Sequence, residues 1–113
     1  MADVQPLLTL RYDPSSVGSL DAVIAPPYDV IDDALRADLL AKSPFNVVEI
    51  DLPRAPDGVD PYAHAGETFA AWRTQGILTR ESEPAFWALE QRYMAPDGSE
   101  RTRRGFFARV RVE

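Results

Sequence analysis

Hydrophobic positions recur along the chain in short groups of differing period, separated by proline, glycine and aspartate. Pro6 to Arg11, with Leu7, Leu8 and Leu10, predicts a first strand. Tyr12 to Ser19 has the composition of a loop. Leu20 to Ala25 predicts a second extended run that ends at Pro26-Pro27. Two successive prolines fix two backbone angles and remove two amide donors. The first also pushes Ala25 towards extended geometry. This rigid corner aims Tyr28 and Asp29 in fixed directions.

The spacing of Leu35, Leu39 and Leu40 predicts a helix over Asp33 to Lys42, with Asp32 as N-cap and Pro44 as its stop. Phe45 to Asp51 alternates with apolar residues on both sides, which predicts a central strand and a βαβ-like unit. A second helix begins at the Asp60 cap with Pro61 in the first helical position. Tyr62, Ala65, Phe69 and Trp72 then recur at spacings of 3, 4 and 3, which predicts one buried face up to a stop at Gly76. Ile77 and Leu78 are expected to pack back on the core.

Ala85 to Met94 alternates, with Trp87, Leu89 and Tyr93 on one side. Arg101 to Val112 alternates too, with Phe106, Ala108, Val110 and Val112 expected inward and Phe107, Arg109 and Arg111 outward. Pro96-Asp97-Gly98-Ser99 between them is a turn signal, so the two runs predict a β-hairpin. The expected fold class is α+β, or α/β: a small mixed β-sheet with two packed helices and a C-terminal β-hairpin.

Length and charge narrow the function classes. With 113 residues the chain is expected to form a single domain. A net charge of −6 argues against nucleic acid as a partner. The charge is uneven: Glu100 to Glu113 holds five arginines against two glutamates, so it carries +3 and the preceding 99 residues carry −9. The sequence has no cysteine, hence no disulfide framework, thiolate metal site or thiol nucleophile. The N-terminus lacks a basic, then apolar, leader pattern, and no apolar run approaches the length of a membrane span. No membrane partner and a cytoplasmic location are the expectations.

Candidate chemistry is sparse. His64 is the single histidine and has no serine signature beside it, so neither a triad nor a metal site is expected. The glycines are scattered and form no phosphate loop. Asp29 follows the rigid corner, where a carboxylate either caps the turn or meets a ligand as a hydroxyl binder, a magnesium ligand or a general base. Tyr28 beside it offers a ring face and a hydroxyl, or packs in the core. Asn46 is a ligand contact or a loop-satisfying amide. Arg104 before Gly105 reaches an anion with its forked donors, or is a solvated hairpin arginine.

Read in order, Leu10-Arg11-Tyr12-Asp13, Ala25-Pro26-Pro27-Tyr28-Asp29-Val30-Ile31 and Ser43-Pro44-Phe45-Asn46-Val47-Val48 form a recognisable series. Asp60-Pro61-Tyr62, Trp72 with Gly76-Ile77-Leu78, Glu90-Gln91 and Arg104-Gly105-Phe106 continue it. From about Leu10 to Glu113 the chain resembles the N-terminal part of the bacterial and archaeal family called domain of unknown function 1015, with Pro-Pro-Tyr-Asp-Val as the most specific run. Thr9 stands where that family usually has glycine.

The resemblance implies a longer protein, with a His-Glu-x-Thr stretch and an Asp-Arg pair beyond the position matching Val112. The chain is therefore expected to be the N-terminal portion of a longer family domain, and independent enzyme activity stays open. A looser likeness runs to ParB-type and sulfiredoxin-type nucleotide-binding proteins, which include a serine kinase. Two functions follow as expectations. In one, Tyr28, Asp29, Asn46 and Arg104 line one side of a site for a small, phosphorylated metabolite or nucleotide, with the cofactor unknown. In the other, the chain is a non-catalytic binding module whose exposed last strand pairs with another chain or with the missing C-terminal part.

Overall fold

A computed structural model describes residues 1–112. In chain order its elements are β1 (Val4–Gln5), β2 (Leu10–Tyr12), α1 (Pro14–Val17), α2 (Asp33–Lys42), α3 (Val48–Asp51), α4 (Pro61–Thr74), β3 (Leu78–Arg80), β4 (Trp87–Met94), β5 (Glu100–Phe107) and β6 (Arg109–Val110). Short 3-10 turns at Leu20–Ala22 and Tyr28–Val30 lie between α1 and α2. The fold is α+β. The strands form three two-stranded sheets, β1–β6, β2–β3 and β4–β5, in place of the single mixed sheet expected. The described residues divide into two compact units, 10–79 and 1–9 with 80–112.

Residues 10–79 carry the helices and the core. Helix α2 has its expected bounds because Asp32 accepts from the Leu35 N–H at 2.8 Å and supplies the missing first-turn partner. Helix α4 starts the same way, with Asp60 accepting from the Tyr62 N–H at 3.2 Å and Pro61 following. It ends at Gly76, whose φ of 77° lets the Ile77 N–H reach back to the Trp72 carbonyl at 2.9 Å. Val23, Leu39, Val48, Ala65, Trp72 and Ile77 are buried here. Trp72 stands edge-on to Phe45 at 5.9 Å and lies 6.2 Å from Tyr12, whose hydroxyl donates to the Phe45 carbonyl at 2.7 Å.

Three expected elements differ in this unit, each because polar side chains capture nearby backbone groups. Phe45 to Asp51 is not a strand and there is no βαβ-like unit. Ser43 Oγ accepts from the Phe45 N–H and Asn46 Oδ1 from the Val48 N–H, which turns the chain into α3. Leu20 to Ala25 begins as a 3-10 turn, since Ser19 Oγ accepts from the Asp21 N–H. The expected loop of Tyr12 to Ser19 contains α1, capped by Asp13 with Pro14 next, the same device that opens α4. A fourth expected element, the first strand of Pro6 to Arg11, runs across the boundary of the two units and is split: Leu7 is bridged to Ala85 within the other unit, and Leu10–Tyr12 forms β2.

Residues 1–9 and 80–112 form the hairpin unit. β4 and β5 pair antiparallel from Trp87 opposite Phe107 to Met94 opposite Glu100. The turn closes over Pro96-Asp97-Gly98, where Gly98 takes a φ of 84° and Asp97 accepts from the Ser99 N–H at 2.9 Å. β6 pairs antiparallel with β1. The inward face expected for the last strand is not found: Phe106, Val110 and Val112 are all more than half exposed and only Ala108 is partly covered. Among the described residues β4 and β5 pair only with each other, and β5 is exposed along its whole length.

Candidate functional site

Asn46 builds the site from below. Its side chain is 0% exposed. Nδ2 donates to the carbonyls of Ala22 and Ile24, each at 2.9 Å, and Oδ1 accepts from Val48. The Val47 N–H adds a bond to the Val23 carbonyl at 2.8 Å. One buried amide therefore pins the segment leading into Pro26-Pro27 against the start of α3. Of the two uses read from the sequence, the structure places Asn46 in the amide one, among backbone groups and away from solvent.

The pinned corner delivers Tyr28. Pro27 is extended, with φ −55° and ψ 144°, and Tyr28–Val30 forms a single 3-10 turn closed by Val30 N–H to Pro27 and Ile31 N–H to Tyr28. Tyr28 is 61% exposed. It lines an open cleft of about 440 Å³ together with Asp51, Leu52, Pro53, Pro61 and Tyr62. Tyr62 is 80% exposed, so it is not part of the buried face of α4 that its spacing suggested. It occupies the first turn, beyond the reach of the core that covers Ala65 and Trp72.

The walls are thus two tyrosines, two prolines and a leucine, with Asp51 as the charged group. Flat apolar surface held by fixed backbone is what a planar ring stacks against. The surrounding charge is negative. Residues 10–79 contain five Lys or Arg and eleven Asp or Glu, so this unit carries the whole net charge of −6, and the hairpin unit balances seven against seven.

Comparison with known proteins decides the family. The family described as "Protein of unknown function (DUF1015)" matches over residues 4–113. The chain belongs to that family. No curated protein and no solved structure matches it. The match spans nearly all of the sequence, the Pro-Pro-Tyr-Asp-Val corner and both units included.

Within this DUF1015 chain the four residues singled out from the sequence have separate surroundings. Tyr28 faces the cleft. Asp29 is exposed on the same 3-10 turn and lies outside the cleft lining. Arg104 sits on β5, where its Nε donates to Glu90 Oε2 at 3.0 Å across the hairpin. Sequence reasoning missed Tyr62 and Asp51 as cleft residues. The available signal was position: Tyr62 falls in the first turn after a proline-rich loop, where a helix has yet to meet its core.

His64 lies 4.0 Å from Glu49, which is held by Arg36 at 3.1 Å. Arg36 also donates to the Leu52 carbonyl at 3.0 Å and so steadies one rim of the cleft. Among the described residues no group of three or more His, Cys, Asp or Glu side chains is placed to hold a metal ion. No described helix is long and apolar enough to cross a membrane.

Proposed function

We propose that this DUF1015 chain is the ligand-binding part of a cytoplasmic protein and that the Tyr28–Tyr62 cleft receives the ring end of a small metabolite or nucleotide. The observation that carries the reading is the exposure of both tyrosines on one cleft, over a corner made rigid by Pro26-Pro27 and Asn46. Large aromatic groups held in water are covered when a ring stacks on them, and each base–aromatic stack is worth about 1–3 kcal/mol.

Electrostatics directs which end of the ligand enters. Asp51 and the acidic unit repel a phosphate, and the lining holds no cation. An uncharged or cationic ring is favoured in the cleft, and any phosphate points away from it. Asp51 offers an acceptor to a ring N–H or a ribose hydroxyl.

Adenosine is the simplest neutral probe of ring and ribose together. Tyr28→Ala and Tyr62→Ala are each expected to weaken its binding, measured by calorimetry, by about 10-fold. ATP is expected to bind no tighter than adenosine. Undiminished binding by both variants would remove the cleft from consideration.

The second reading, pairing through the last strand, has less support at that position. β6, near the end of that strand, is already bonded to β1. The longest pair among the described residues is β4–β5, and each of these two strands pairs only with the other.

A further inference from the structure

In the hairpin unit Ala95 is the one buried residue among those described. Tyr93, Met94, Phe106 and Phe107 are each about half exposed or more. A two-stranded sheet without cover is marginal in water. Among the described residues β4 pairs only with β5, so one edge of β4 is open.

The turn fixes which residues use that open edge. Ala95 donates its N–H to the Ser99 carbonyl at 2.8 Å and accepts from Gly98 at 2.9 Å, so its backbone groups point at β5. Backbone direction alternates along an antiparallel strand. Tyr93, Gln91, Leu89 and Trp87 therefore bond towards β5. Met94, Arg92, Glu90 and Ala88 present their N–H and C=O groups outward.

We propose that β4 pairs antiparallel with β4 of a second copy of this chain, about a two-fold axis at Gln91. Because only alternate residues bond outward, allowed axes shift one residue at a time and each gives a distinct charge pattern. An axis at Glu90 sets that carboxylate against its own copy. An axis at Arg92 sets the guanidinium against its own copy. Like charges directly opposite are destabilising.

The axis at Gln91 sets Glu90 opposite Arg92 twice, once on each side, and Ala88 opposite Met94. On the other face it sets Leu89 opposite Tyr93, an apolar pair. All four outward residues then bond, giving about eight backbone hydrogen bonds. The contact is self-complementary, as a two-fold interface requires. β5 is unsuited to the same use, since Arg101, Arg103 and Arg104 crowd its middle and cationic side chains guard an edge against pairing.

Gln91→Cys tests the axis directly, since the sequence has no other cysteine. A non-hydrogen-bonded antiparallel pair brings Cα atoms to about 4.5 Å, within disulfide reach. Mild oxidation of the full chain is expected to give a covalent dimer of about twice 12.6 kDa, and Arg103→Cys on β5 is expected to give none. In sedimentation, Glu90→Arg alone and Arg92→Glu alone are expected to be monomers. Mixed in equal amounts they restore both opposite-charge pairs and are expected to form a heterodimer, which also shows that each is folded. A monomeric wild type, a Gln91→Cys protein that does not cross-link, or a mixture that stays monomeric would each overturn the proposal.

Discussion

Asn46→Ala would strand the carbonyls of Ala22 and Ile24 and the N–H of Val48 in a site closed to water. Each buried group left without a partner costs about 1–3 kcal/mol, so the variant is expected to lose about 3 kcal/mol or more in urea unfolding. Tyr12 predicts a pH effect of opposite origin. Burial raises its pKa from 10.0 to about 12. The folded chain therefore holds that proton more tightly than the unfolded one between these values. Its contribution to stability is full below pH 10 and falls as pH rises towards about 12. Tyr12→Phe is expected to flatten that alkaline loss, followed by unfolding midpoints at successive pH values. At this scale the sequence marked Tyr28 and Asn46 as notable side chains. It could not say which faced outward, because that depends on where the Ala22 and Ile24 carbonyls come to lie.

Elements were legible wherever a cap, a proline and a period agreed. Both Asp32 and Asp60 cap their helices as their spacing implied, and alanine at either is expected to cost about 1 kcal/mol in unfolding experiments. The β4–β5 hairpin likewise follows its alternation and turn. Its turn carries an acid-sensitive contact. The Ser99 hydroxyl and amide bonded to Asp97 hold its carboxyl below the usual aspartate range. A lowered folded pKa contributes stability above the ordinary value and loses it as pH falls through the folded one. Amide-exchange protection in β4 and β5, relative to the intrinsic rate at each pH, is expected to fall in acid, and Asp97→Asn to weaken that dependence. Phe45 to Asp51 misled because alternating apolar residues read alike in a strand and in one turn of helix. The deciding bonds were short-range ones from Ser43 and Asn46.

Across the whole molecule, charge and exposure separate into two regions with different uses. The helical unit carries the negative charge, the core and the aromatic cleft. The hairpin unit carries seven of the eleven arginines and the open edge of β4. Pattern in the sequence conveyed the fold class and the rigid corner, but assigned Tyr62 to the core. A helix longer than the core beneath it exposes its first turn, and no periodicity reports where a core ends. Amide shifts during an adenosine titration of the ¹⁵N-labelled protein test the cleft most directly. The expected shifts fall on Tyr28 to Val30, Asp51, Leu52 and Tyr62, and need about 10-fold more adenosine in Tyr28→Ala. Shifts confined to β4 and β5, or tighter binding of ATP centred on Arg103 and Arg104, would contradict the assignment of the site to this cleft.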